Sequence, residues 1–166
     1  MIFETERLSI RKLKNQDFDA FHQMQSNINV MRYTDSPPKN KTENKLDLDR
    51  VISFYQKPKN SFWVFAIERK KDTNFIGTIA IIIDNDAKAE IGYRYLEKYW
   101  HNGYAFEALN GLINYAKELK LKELYGEVVV ENNASEYLLK KVGFQFVKEY
   151  ICEDLKLLER LYTLKL

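Results

Sequence analysis

The sequence predicts a mixed α/β sheet with helices on both faces, and two patterns carry that expectation. Apolar runs at 61–67 and 75–83 load both alternating faces, as central strands of a covered sheet do. After a third extended run the period of the pattern changes from two to that of a helix. The 166 residues, 45% of them hydrophobic, suit one domain spanning 1–166 with a full core.

The elements follow in order. Arg7 to Leu13 alternates Leu8 and Ile10 with polar neighbours, which reads as an early strand. Phe18, Phe21 and Met24 then recur at helical spacing. A polar loop through Asn44, marked by Pro37 and Pro38, precedes a second helix with Leu46, Val51, Ile52 and Tyr55, ended by Lys57-Pro58. The strands Ser61–Ile67 and Phe75–Ile83 are joined by the polar run 69–74. Lys88–Leu96 is a third strand, with Ala89, Ile91, Tyr93 and Tyr95 on one face. Ala105, Leu109, Leu112, Ile113 and Ala116 define an amphipathic helix from about Gly103 to Leu119. A short β run (Leu124–Val130) and a short helix (Asn132–Val142) follow, with Gly143 as the C-cap. Phe144–Ile151 and Leu158–Leu166 form a closing pair of strands.

Composition excludes several function classes. A 30% charged chain with a net charge of +2 is neither a disordered polyelectrolyte nor a strongly basic nucleic-acid binder. The lone Cys152 forbids an internal disulfide, and with His22 and His101 it cannot close a tetrahedral metal shell. The longest apolar run is half of what a bilayer span needs, and the first twenty residues carry acids and bases unlike a signal peptide. These features read as a cytoplasmic protein with no metal, nucleic acid or membrane partner.

The informative segment is Tyr99-Trp100-His101-Asn102-Gly103-Tyr104-Ala105. A strand ends, a glycine loop follows, and a helix starts at once. Backbone N–H groups at such a start have no intrahelical partner, and the helix dipole is positive there. A diphosphate fits this site, although many purely structural strand–helix turns also carry one glycine. The spelling excludes a Walker loop and a dinucleotide fingerprint, because neither Gly-x-x-x-x-Gly-Lys-Ser/Thr nor Gly-x-Gly-x-x-Gly occurs.

With Ala89-Glu90-Ile91-Gly92-Tyr93-Arg94-Tyr95-Leu96 before it, this segment resembles the acetyl-CoA motif of GNAT N-acetyltransferases, most of all the RimJ/RimL type. Asn132-Asn133-Ala134-Ser135, eight residues before Gly143-Phe144, is similar to that group's Asn-x-x-Ser…Gly-Phe element, and Glu4-Thr5-Glu6-Arg7-Leu8 to its opening. The resemblance implies a mostly antiparallel sheet in which two parallel strands, Lys88–Leu96 and Leu124–Val130, splay apart. It implies acetyl-CoA as co-substrate, held by the backbone of Tyr93, Arg94 and Tyr95 through strand addition. His101, Asn102, Gly103, Tyr104 and Ala105 would cradle the pyrophosphate, and Asn132 would touch the cofactor from across the splay. Two departures stand out. His101-Asn102 replaces the group's frequent Gly-Lys, and Leu139 stands where many GNAT enzymes place a tyrosine acid.

Acetyl transfer to an amine needs a base for the amine, a donor for the oxyanion and a proton for the leaving thiolate. Glu90 is the first candidate base, with Asp154, Glu153 or ordered water as alternatives. Ser135 is the candidate acid, and it also suits a helix cap or first turn. Cys152 has no identifiable His partner, which argues against an acetyl-Cys intermediate. The resemblance points first to a protein or peptide N-terminal amine. A polyamine or aminoglycoside is the alternative acceptor, and a catalytically silent acyl-CoA-binding module or a partner protein that binds no CoA is the alternative class. The acceptor pocket falls to the two early helices and the loop 35–44, with Tyr33 and Tyr55 as possible lining. Both monomer and homodimer fit the sequence.

Overall fold

A computed structural model describes residues 1–34, 36–84, 86–153 and 156–166. The chain forms β1 (Phe3–Glu4), β2 (Leu8–Lys12), α1 (Phe18–Gln25), α2 (Ile28–Met31), α3 (Lys41–Phe54), β3 (Phe62–Arg69), β4 (Asn74–Ile83) and β5 (Lys88–Tyr95). It continues with α4 (Tyr104–Glu118), β6 (Glu123–Val129), α5 (Asn133–Lys141), β7 (Gln145–Ile151) and β8 (Leu158–Lys165). The strands make one eight-stranded sheet in the order β1-β2-β3-β4-β5-β6-β8-β7. Its neighbours are antiparallel, except the central parallel pair of β5 and β6.

Two apolar layers hold the helices to the sheet. On one face Ala108, Leu109, Leu112, Ile113 and Ala116 of α4, with Leu139 of α5, pack on Leu8, Ile10, Ile81, Ile91, Leu124 and Tyr162. On the other, Phe21 and Met24 of α1 with Leu48 and Val51 of α3 pack on Ala66, Phe75 and Leu96. The period-two strands and period-3.6 helices read from the sequence are these two interfaces.

Three features differ from the sequence reading. Residues 3–4 add a short edge strand, bridged to β2 at Phe3–Ile10 and Glu4–Ser9. A four-residue helix, α2, interrupts the polar loop, and the Asn27 side chain caps it by accepting from the Asn29 and Val30 N–H groups. The second long helix starts at Lys41, earlier than its apolar residues suggest, because Asn40 and Glu43 close a capping box around a polar first turn. Gly143, at φ +102°, ends α5 as its spelling suggests.

β5 and β6 pair over three rungs only, Lys88–Glu123, Ala89–Leu124 and Glu90–Tyr125. Beyond Glu90 the two strands diverge, while β5 stays bonded to β4 as far as Tyr95 and β6 to β8 as far as Val129. The fold therefore opens a V in the middle of its own sheet.

Candidate active site

Each side chain around the V has its side of the sheet set by strand alternation. Ala89, Ile91, Tyr93 and Tyr95 of β5 face α4 and α5, as the sequence pattern indicates. Glu90, Gly92 and Arg94 therefore face α1 and α3. Glu90 stands on the last closed rung, opposite Tyr125, and its charge helps raise the Tyr125 phenol, after burial as the larger cause. Arg94 donates from Nη1 to Oε1 of the buried Gln25 at 2.5 Å, and Gln25 in turn donates to Asp47 of α3 at 2.8 Å. This chain ties the β5 edge to both long helices of that face.

The turn before α4 has the shape a phosphate needs. Gly103 is left-handed at φ +76°, and His101 before it is left-handed too, at φ 60°. A side chain at Gly103 would be strained, and the nearest atom to its Cβ would be Nη2 of Arg7 at 3.5 Å. Close approach of a ligand to this backbone is therefore open. Asn102 closes the turn by donating to the carbonyls of Trp100 (2.7 Å) and Tyr99 (3.2 Å). The Trp100 indole donates to the Tyr95 carbonyl at 2.9 Å. Arg7 supplies a guanidinium beside the loop, where the sequence has no lysine. It donates to the Asn102 carbonyl at 3.1 Å and pairs with Glu107 of α4 at 2.6 Å.

On the α4/α5 side of the V, two hydroxyls meet. Tyr93 Oη lies 3.0 Å from Ser135 Oγ, in the first turn of α5. Burial pushes the Tyr93 phenol up to about 12, partly offset by Ser135. Asn132, not Ser135, is the helix cap: its Oδ1 accepts the Ser135 N–H at 3.2 Å. Leu139 is 2% exposed, and a Cβ on Gly126 would meet its methyls at 3.4 Å and Ile91 at 3.5 Å. It floors the V with apolar packing. Tyr95, also on this side, is buried with a hydroxyl that has no hydrogen-bond partner.

The structure thus gathers Glu90, Tyr93, Arg94, Tyr95, the 101–105 turn, Asn132 and Ser135 around one opening, with Glu90 and Ser135 on opposite faces of β5. Glu153 is exposed in the β7–β8 turn, and Asp154 lies outside the described residues. Tyr55 is a structural pin: its hydroxyl accepts the Leu13 N–H at 3.0 Å and donates to the Val64 carbonyl. Sequence reasoning missed Glu159, 7% exposed on the same face as Glu90, which accepts from the Tyr150 hydroxyl at 3.1 Å. Burial first, then Glu127, then Glu159 push the Tyr150 phenol upward. Among the described residues no group of three or more His, Cys, Asp or Glu side chains suits a metal ion, and no helix is long and apolar enough to cross a membrane.

A sheet split between two parallel strands, with a left-handed glycine turn at its mouth, has counterparts among known proteins. Residues 7–145 match the sequence family described as the acetyltransferase (GNAT) domain. The chain belongs to the GNAT acetyltransferase family.

An uncharacterized N-acetyltransferase, YoaA, of Bacillus subtilis (strain 168) is 32% identical to this GNAT chain over 148 residues, covering 87% of the chain and 82% of YoaA. Two solved GNAT structures share its fold at lower identity. Spermidine N-acetyltransferase from Vibrio cholerae, in complex with CoA and spermine, superposes with a TM-score of 0.84 at 22% identity, covering 96% of this chain and 95% of that one. RimL, a ribosomal L7/L12 alpha-N-protein acetyltransferase in complex with CoA, gives 0.86 at 18% identity, covering 99% and 97%. In this GNAT acetyltransferase a partly buried phenol beside the V comes from Tyr93 on β5, while Leu139 of α5 packs into the core.

Proposed function

We propose that this acetyltransferase moves acetyl from acetyl-CoA to a primary amine, by direct attack and without an acetylated enzyme. The observation that carries the reading is the V itself: among the described residues the rungs between β5 and β6 stop at Glu90, and β5 runs on to Tyr95 without β6 beside it. An amide-bearing arm adds to such an edge as a strand would. The backbone of Tyr93, Arg94 and Tyr95 holds that arm. The first-turn N–H groups of α4, with His101, Asn102, Gly103, Tyr104 and Ala105, hold the pyrophosphate. Asn132 spends Oδ1 on its cap, so its amide nitrogen is the group left to meet the cofactor.

Acetyl-CoA supplies the activated acyl group, and the chain handles protons. Glu90, at the closed end of the V, takes the proton of the attacking amine directly or through water. Ser135 gives a proton to the leaving sulfur. The likeness to RimL and the RimJ/RimL-type spelling favour a protein or peptide N-terminus as the acceptor, in the cytoplasm. One observation favours a second reading. Glu127 and Glu159 converge on Tyr150 on the same face as Glu90, and three carboxylates on one face suit a small polycationic amine.

A thiol-release assay with acetyl-CoA against N-terminal peptides and polyamines tests both acceptors. A melting shift with CoA but no thiol release with any amine would leave a silent binder on the same fold.

A further inference from the structure

We infer that Tyr93 is a positioning residue for Ser135, aiming the serine proton into the V toward the leaving sulfur. The inference rests on the reading of Ser135 as the acid and adds a residue that the reading does not contain. Tyr93 and Ser135 are 42 residues apart in sequence, on different elements, and their oxygens stand 3.0 Å apart. Each is fixed by something other than this bond. Tyr93 belongs to β5, bonded to β4 through the Ile79–Tyr93 rung, and its ring lies 6.4 Å from that of Tyr95. Ser135 has its main chain held by the Asn132 cap.

The direction of the bond follows from acidity. A phenol is a far stronger acid than an aliphatic alcohol, so the phenol donates and Ser135 Oγ accepts. An accepting serine keeps its own proton for another partner and has one rotamer in which to offer it. Burial makes its proton harder to lose to solvent than that of an ordinary phenol. As the serine proton passes to sulfur, the phenol proton moves to the serine oxygen, because an alkoxide is a far stronger base than a phenolate, and solvent then restores the phenol. The tyrosine of α5, Tyr137, is 65% exposed, and Leu139 closes the apolar floor against Gly126 and Ile91. On this side of the V the hydroxyl pair stands with the Asn132 side chain and the Tyr95 hydroxyl, and among these the pair joins β5 to α5.

The test reads the thiol of bound CoA and needs no acceptor. The thiolate is titrated by its ultraviolet absorbance in saturated CoA complexes, with acetyl-CoA complexes as the blank. Ser135→Ala is expected to weaken the acidity of the bound thiol roughly tenfold, about one pH unit, through loss of one charge-assisted hydrogen bond. Tyr93→Phe, which keeps the ring, is expected to shift it in the same direction by up to that amount. The double variant is expected to match Ser135→Ala alone, because the tyrosine acts only through the serine. CoA affinity by calorimetry is expected to stay within about twofold in Tyr93→Phe.

A shift in Ser135→Ala with none in Tyr93→Phe overturns the inference and leaves Ser135 as the acid. Additive shifts overturn it by showing that each hydroxyl meets the sulfur separately. No shift in Ser135→Ala removes the acid reading and this inference with it. Failure of the wild type to bind CoA removes the cofactor reading before either. Should Tyr93→Phe not fold, Ser135→Thr reads the same bond: it keeps the hydroxyl and is expected to retain the wild-type thiol. A thiol as weak as in Ser135→Ala would overturn the inference.

Discussion

Glu136 and Arg160 join α5 to β8 in a forked contact, with Nη1 of the arginine 3.0 Å from both carboxylate oxygens. Lys140 at 2.7 Å and the Tyr162 hydroxyl at 2.5 Å complete the partners of this carboxylate, which is buried beside Ser135. The hydrogen bond from Lys140 is the largest cause, and with Tyr162 and Arg160 it lowers the Glu136 carboxyl to about 2. Glu136→Gln should therefore lose about 1–3 kcal/mol of stability near neutral pH. The folded-state carboxyl is depressed below its ordinary 4.5. Its contribution is complete above that value and vanishes as pH falls through about 2. Denaturant melts of the two proteins should converge over that window, and a difference independent of pH would refute the assignment.

Gly103 and Gly143 share left-handed backbones, at φ +76° and +102°, but only Gly103 lies at the mouth of the V. Gly103→Ala and Gly143→Ala should each lose about 1–2 kcal/mol of stability from strain alone. Gly103→Ala should also weaken CoA binding at least tenfold in calorimetry, and Gly103→Val more so. Gly143→Ala should bind CoA as the wild type does. Equal affinities for the two alanine variants would move the phosphate site away from this turn.

Asn132→Ala removes the cap of α5 and should cost about 1 kcal/mol of stability. Ser135→Ala should cost less, because the capped group is the serine's main chain and not its hydroxyl. Thermal melts of the two variants separate the structural from the chemical residue. A greater loss for Ser135→Ala would return Ser135 to the role of a cap.

Glu90→Gln should lower acetyl transfer by roughly 10²–10⁴-fold. CoA binding should survive, since backbone groups hold the cofactor. The deficit should shrink as pH rises, because more of the amine then arrives neutral. A pH–rate profile with any acceptor found in the thiol-release assay checks this. Wild-type turnover at every pH would pass the role of base to another carboxylate or to water.

The parts of this site that the sequence reveals are those carried by short-range patterns. Alternation along Lys88–Leu96 put Tyr93 on the α4/α5 side, and the spelling around Gly103 located a turn that proves left-handed. Contacts between distant segments left no such trace. Ser135 meets Tyr93 across 42 residues and Arg94 meets Gln25 across 69. Both arise from packing that no local period encodes. Glu159 and Tyr150 come near Glu127 because β8 inserts between β6 and β7, an order that a pair of consecutive strands does not announce. The start of α3 was readable in principle, since Asn40 and Glu43 spell a capping box, but its polar first turn hides it from apolar periodicity.

β7 ends the sheet with one bare flank, and Phe146, Val147 and Ile151 are all at least half exposed on it. Such a rim invites stacking of one molecule onto the next into fibrils. Two things spoil the match. The pairing with β8 slips between Phe146 and Lys148, which bends the rim. In-phase antiparallel contact with an identical strand, centred on the middle of β7, sets Lys148 against Lys148 or Glu149 against Glu149 of the other molecule. Like charges directly opposite repel. Two adjacent charges that have no part in acetyl transfer thus oppose self-pairing at this rim, and one of them, Glu149, also pairs with Arg160 of β8 at 2.8 Å. Replacing both with valine should leave thiol release intact and make the protein aggregate on concentration, as light scattering would show.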